Sequence, residues 1–234
     1  MATKVLDHGY VELIETWGSD ERIIQAARMS TGKGFLGWGT SEEPGDEKLL
    51  AFLWKNNHAT PFEMAGATFE IQAPIFVFRE WHRHRTQSYN ELSARYTPLP
   101  DVNYVPSVER LMLGSDGKNK QAGTVAGAVA LTESAANGFR WRLQKQYEES
   151  QSLYEWALNA GVPKELARVH LPVGRYSRMR ASANLRNWLQ FLTLRSTAKN
   201  TNAQWEIRQF ADVVHEKLSK AFPRTLALFD GDDR

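Results

Sequence analysis

The sequence predicts a single α/β domain spanning residues 1–234. Three observations carry that prediction. Runs at 67–73 and 174–184 alternate apolar and polar residues with the two-residue period of a half-buried strand. Apolar stripes of helical period recur at 46–57, 134–158 and 203–221. No internal repeat and no linker divides the chain. With 42% hydrophobic residues, 8 Trp and 11 Phe, the apolar bulk is enough for one core.

Taken in order, 11–17 (VELIETW) reads as a short strand. Ser19 or Asp20 then caps a helix carrying Ile23, Ile24 and Ala27 to about Arg28. The glycine-rich stretch 30–39 is a loop. Leu49, Leu50, Phe52, Leu53 and Trp54 form the stripe of a helix at 46–57, which Thr60-Pro61 stops. After the strand at 67–73 comes 74–82 (PIFVFREWH), with Pro74 at the first helical position. Residues 83–95 run as a polar loop that Thr97-Pro98-Leu99-Pro100 ends. The one low-complexity stretch, 114–127, places a mobile surface loop at about 114–130. Phe139, Leu143, Tyr147, Tyr154 and Leu158 share one face of a long helix from Ser134. Gly161 ends it and Pro163 opens the next. The strand at 174–184 points Tyr176, Met179 and Ala181 inward. A helix at 185–194 follows, and Ile207, Phe210, Val214 and Leu218 mark one side of the last, at 203–221.

Composition removes several function classes. There are no cysteines, hence no disulfides, thiolate metal sites or cysteine nucleophiles, and no metal site is expected. The first residues, MATKVLDHGY, hold no apolar signal core, and no run nears the roughly eighteen apolar residues of a membrane span. The expectation is a cytoplasmic protein with no membrane partner. A net charge of +2 without a basic stripe argues against nucleic acid as a partner.

The most informative stretch is 83–95, RHRTQSYNELSAR. Arg83, His84, Arg85 and Arg95 stand among Gln87, Ser88, Asn90, Glu91 and Ser93. Buried guanidinium groups need partners, so this set does not belong in a core. A planar guanidinium grips phosphate through two parallel hydrogen bonds, which points to an anion site, most simply for a nucleotide. By composition alone, a charged loop paired with Glu80 and Glu91 accounts for the cluster equally well. Ser93 reads as a binding residue rather than a nucleophile. Its neighbours are always-protonated arginines, and nothing places His84 beside it.

The spacing of Arg83-His84-Arg85 to Ser93, continued through Ser88, Asn90 and Arg95, resembles the extended signature of the flavin-dependent thymidylate synthases. The resemblance covers about residues 10–208. It implies a domain with a small, mostly antiparallel sheet flanked by long helices, assembled as a homotetramer whose sites collect residues from several subunits. It implies an enzyme that makes dTMP from dUMP through bound FAD, with methylenetetrahydrofolate as carbon donor and NADPH as reductant. The lack of cysteine agrees with it, because this family does not use the thiolate by which other thymidylate synthases activate uracil.

Carried over residue by residue, the resemblance places Arg83, His84, Arg85 and Glu91 at FAD. It places Glu80, Trp81, His82, Arg83, Glu91, Leu92, Ser93, Ala94 and Arg95 around dUMP. The element His58-Ala59-Thr60-Pro61-Phe62-Glu63 sets His58 and Thr60 beside the flavin, with Ser30 also at the cofactor; alone, His58 reads as a helix C-terminal histidine. Arg168 becomes a substrate contact with Glu165 as its neighbour, although their spacing also fits a surface ion pair. Asn184, Arg186 and Gln190 go to FAD. Arg195 goes to the uracil ring, where a cation stabilises negative charge on the ring under attack. The implied catalytic residues are Arg195 and His58.

The chain departs from the family pattern in four places. Met64 stands where a second His is frequent, and Gln190 where Asn is common. The stretch 196–202 is longer and lacks a His before Ala203. Glu80 replaces a frequent Gln, and a carboxylate there works against holding an anionic nucleotide. Two other readings are a flavin-containing NADPH oxidase without methyl transfer and a nucleic-acid-binding loop in which Tyr89 and Tyr96 stack on bases.

Overall fold

In a computed structural model the description covers residues 1–40, 42–43, 45–114, 125–129 (backbone only) and 131–232. The chain opens with β1 (Thr3–Val5), β2 (Gly9–Trp17), α1 (Asp20–Arg28) and α2 (Glu47–Lys55). A 3-10 turn at Thr60–Met64 leads to β3 (Gly66–Pro74), α3 (Ile75–Trp81) and β4 (Ser88–Glu91). Next come α4 (Val108–Met112), β5 (Leu113–Gly114), β6 (Val125–Val129), α5 (Glu133–Asn159) and α6 (Lys164–Ala167). The chain closes with β7 (Tyr176–Asn184), α7 (Leu185–Arg195), α8 (Trp205–Ala221) and α9 (Pro223–Asp230).

The main sheet has the order β1-β2-β3-β7-β4, and every neighbouring pair is antiparallel. At its centre β3 and β7 pair from Gly66↔Asn184 to Pro74↔Tyr176. Alternation decides which face is dry. Phe69 and Ile71 on β3, and Met179 and Ala181 on β7, are buried against the helices, while Arg178 and Arg180 face outward. On the dry face Phe69 meets Trp188 of α7 edge-on at 4.9 Å, and α8 adds Ile207, Phe210, Val214 and Leu218, none of them accessible. Gly66 has no room for a side chain. A Cβ there would stand 2.2 Å from the Trp17 ring and 2.5 Å from the Ala183 carbonyl oxygen.

Most expected elements stand where periodicity put them, with several differences; β1 and α4, for instance, carry no such signal. Pro74 caps α3 in extended conformation (φ −60°, ψ 145°) instead of taking its first helical position. Residues 88–91 of the supposed loop form β4, whose polar side chains conceal an edge strand paired to β7. Thr60-Pro61 opens a 3-10 turn instead of merely ending α2. The helix α9 was not predicted. Of the loop expected at about 114–130, Gly114 belongs to β5 and 125–129 to β6, while 115–124 and 130 lie outside the described residues. Gly161 ends α5 as expected, at φ 84°, where L side chains are strained. Phe139 lies on the predicted face of α5 but is 45% exposed, whereas Tyr154 is buried. Among the described residues no helix is long and apolar enough to cross a membrane.

The helix α9 is held by a residue far away in sequence. Its N-cap position is Phe222, whose side chain cannot accept a hydrogen bond. Asp20, 4% exposed on α1, supplies the acceptor instead. It takes the backbone N–H of Arg224 (2.9 Å) and of Thr225 (3.2 Å) and the Thr225 hydroxyl (2.6 Å). Removing that carboxylate leaves these donors unsatisfied. Asp20→Ala is therefore expected to lower unfolding stability by about 1–3 kcal/mol, read as a lower urea midpoint at unchanged slope. An unchanged midpoint would contradict the capping role.

Candidate active site

The helix α3 carries the RHR motif to the end of α7. Trp81 stacks on Phe191 at 4.6 Å and 27°, and its indole N–H donates to Gln87 Oε1 at 3.1 Å. The Trp81 side chain is wholly inaccessible and Ala94 is only 3% exposed, so the side chains of these two expected substrate residues are anchors, and only their backbones can meet a ligand. The turn after Trp81 brings His84 inward, edge-on to Phe191 at 4.9 Å. There Arg195 Nε donates to His84 Nε2 at 3.0 Å, and Arg195 Nη1 lies 2.7 Å from Glu80 Oε2. A guanidinium N–H can only donate, so Nε2 is the bare nitrogen of His84 and the proton sits on Nδ1. Burial first, and the Arg195 charge second, lower the His84 pKa from 6.5 to about 4, which keeps the ring neutral near pH 7. Glu80, expected to oppose an anionic ligand, is instead engaged in orienting Arg195.

Around this cluster, Arg83 and Arg85 are exposed and make no ion pair within the described residues. His82 Nε2 lies 3.2 Å from the Met179 sulfur and meets the Tyr89 ring at 4.8 Å. The Tyr89 hydroxyl lies 2.7 Å from the His84 carbonyl and 3.1 Å from that of Trp81, and burial pushes the phenol pKa up. Tyr89 thus staples the motif's backbone and is no open platform for stacking bases; Tyr96 remains 78% exposed.

Beside the cluster lies a cleft of about 570 Å³. The helix α7 turns Arg186, Gln190 and Thr193 toward it, one face at four- and three-residue steps, and α2 with its following turn supplies His58. Trp54, Phe62 and Phe229 form aromatic walls. Arg186 Nη1 is 2.5 Å from Glu63 Oε1. Of the expected flavin residues, the cleft gathers His58, Arg186 and Gln190. Thr60 is exposed at the start of the neighbouring 3-10 turn. Asn184 is the N-cap of α7, its Oδ1 taken by the Asn187 N–H at 2.9 Å, and the Ser30 hydroxyl donates to the Ala27 carbonyl. Neither of these two lines the cleft.

Glu91 and Leu92 line a different groove, of about 300 Å³, between β4 and β7, with Asn90, Glu70, Arg178 and Arg180. Ser93 Oγ accepts the Arg95 N–H at 3.3 Å. Arg95 pairs with Glu165 at 3.4 Å, both half exposed, and Lys164 Nζ donates to the Tyr96 carbonyl at 3.0 Å. The partner of Glu165 is therefore Arg95 and not Arg168, which sits one turn further on and forms no ion pair within the described residues.

A family model described as Thymidylate synthase complementing protein matches residues 12–224. A flavin-dependent thymidylate synthase from Treponema denticola is 38% identical over 231 residues, covering 99% of this chain and 82% of that protein. Another, from Thermus thermophilus, is 38% identical over 226 residues, covering 97% and 77%. The chain belongs to the flavin-dependent thymidylate synthases. Its fold is similar to that of the UMP/dUMP methylase PolB from Streptomyces cacaoi bound with 5-Br dUMP, at TM-score 0.83 and 31% identity, covering 98% of this chain and 97% of that one.

For a flavin-dependent thymidylate synthase, three features of the site escaped sequence reading. Arg178 and Arg180 were passed over although they alternate with the buried Met179 and Ala181, a period-two signal that marks the outward face of β7. Trp54 reads from sequence only as part of the apolar stripe of a helix, yet it walls the cleft. Lys199 and Asp232 reach the cleft from segments with no local signal.

The lowered His84 pKa has a consequence for stability. Between about pH 6.5 and 4 the unfolded chain binds a proton that the folded His84 resists, so stability falls as pH falls through that window. His84→Gln is expected to flatten the thermal melting temperature across that range. A variant with the same pH dependence as the parent would contradict the assignment.

Proposed function

We propose that this chain converts dUMP to dTMP with FAD bound, taking carbon from methylenetetrahydrofolate and reducing equivalents from NADPH. The single observation that carries the reading is Arg195, held by Glu80 and neutral His84 at the end of α7 in a chain of this family. The PolB structure, bound with a brominated dUMP, supports the substrate.

The residues fit a flavin nucleotide. The cleft lies within the roughly 300–1,000 Å³ usual for such ligands, and it offers aromatic walls for a flat ring with polar groups at one side. Arg186, Gln190, His58 and Thr60 would hold FAD there, joined by Arg83 and Arg85, which form no ion pair within the described residues and whose forked donors suit its phosphates. Ser30, His84, Glu91 and Asn184 complete the proposed cofactor set. When bound, FAD supplies the redox step, carrying reducing equivalents that no side chain of this chain can carry.

The work of the protein is then to bind, orient and polarise. Arg95, with the hydroxyl of Ser93, takes the phosphate of dUMP, and Arg168 adds a second cation. Glu80, His82, Arg83, Glu91 and Leu92, with the backbones of Trp81 and Ala94, surround the nucleotide. Arg195 is aimed before substrate arrives, so its charge acts on the uracil carbonyl without reorganisation. Neutral His84 accepts from Arg195 without adding a second positive charge, which helps Glu80 keep the guanidinium oriented. The exposed Trp141, Leu153 and Trp156 on α5 support a homotetramer, because such apolar surface is seldom left to water.

Two substitutions test the assignment. Arg195→Ala is expected to cut turnover by about 10²–10³, the cost of one preorganised donor, while the bound-flavin absorbance stays; retained turnover would exclude the role. Arg95→Ala is expected to weaken dUMP far more than deoxyuridine in equilibrium binding, and equal losses would remove the phosphate assignment. An anaerobic assay for dTMP separates the synthase from an NADPH oxidase, which bleaches its flavin but forms no dTMP.

A further inference from the structure

The cleft beside α7 contains a cation without a carboxylate partner among the described residues. Arg186 is neutralised by Glu63 at 2.5 Å. Lys199, half-buried in the lining, makes no ion pair within the described residues. Among the described residues its ammonium donates to the main-chain carbonyl of Asp232 and lies over the face of Phe229 at 4.9 Å, both neutral groups. The Asp232 side chain also lines the cleft, with one carboxylate oxygen accepting the Trp54 indole N–H at 2.8 Å. A half-buried ammonium gains from an anion more than a fully solvated one does, since water screens it less.

The segment that carries Lys199 is fixed. Thr197 donates through its N–H (2.7 Å) and its hydroxyl (2.6 Å) to Asp212 on α8. Asn200 Nδ2 donates to the Leu194 carbonyl at 3.0 Å, and the Lys199 N–H to that of Ser196 at 3.2 Å. The ammonium is thus placed in advance, and little side-chain freedom remains to be lost when an anion arrives. This segment is the 196–202 stretch in which the chain departs from the family pattern.

We propose that Lys199 is a further cofactor-site residue whose ammonium takes the phosphates of the flavin nucleotide. The inference rests on the flavin reading of this cleft. A compact ammonium binds phosphate as a point charge, and the loss of that charge should be felt only by a ligand that carries phosphate.

The experiment uses the full-length chain freed of flavin, titrated with FAD and with riboflavin at two salt concentrations. Lys199→Met keeps the stem over Phe229 and removes the charge. It is expected to weaken FAD on the order of tenfold, to leave riboflavin unchanged, and to reduce the salt dependence of FAD binding. Lys199→Arg should restore most of the FAD affinity. Equal weakening of FAD and riboflavin would show that Lys199 acts through packing and would overturn the proposal, as would unchanged affinity for both. A parent protein that binds neither flavin would overturn the flavin reading of the cleft, and this inference with it.

Discussion

The stacking of Trp81 on Phe191 is the contact on which the site depends. It joins α3 to α7 in the core, and it does so because β3 and β7, the strands leading into those helices, pair along their whole length. Trp188 closes the same cluster edge-on to Trp81 and Phe191 and donates its indole N–H to the Ala67 carbonyl at 2.9 Å. Aromatic packing of this kind tolerates little displacement, because a close-packed interior leaves no slack for rings to slide. The end of α7 therefore arrives beside the turn after α3, and Arg195 meets Glu80 and His84 there.

That meeting solves an electrostatic problem. Arg195 has only 17% of its side chain exposed, and a guanidinium so placed is costly unless its donors find acceptors. Glu80 supplies a negative partner and His84 a neutral one. The neutrality of His84 is itself a product of burial and of the Arg195 charge. The cleft beside them uses charge differently. Arg186 is paired, Lys199 is pinned by neutral groups, and Asp232 is engaged by Trp54. The α9 wall carrying Phe229 depends in turn on Asp20, which caps it from the other end of the sequence.

Much of the fold was legible because the long elements bury one face. Alternation in 67–73 and 174–184 marked the two central strands, and the spacing of Ile207, Phe210, Val214 and Leu218 marked α8. β4 was not legible. Its residues, Ser88–Glu91, are polar and sit at the sheet edge, so they carry no hydrophobic alternation to report pairing. α9 was hidden for a related reason, since its start is capped by a side chain some two hundred positions away.

By itself the sequence determined the family, the cation-rich motif and the faces that had to be buried, because spacing and periodicity are local and survive without coordinates. Only the tertiary structure decided what each charged group does. Glu80 became the partner of Arg195, Glu165 turned to Arg95, Tyr89 became a backbone staple, and Lys199 reached a cleft built from α2, α7 and α9. Hydrogen bonds and ion pairs act over a few ångströms between residues that the chain brings together only after its strands have paired, and no local pattern records that proximity.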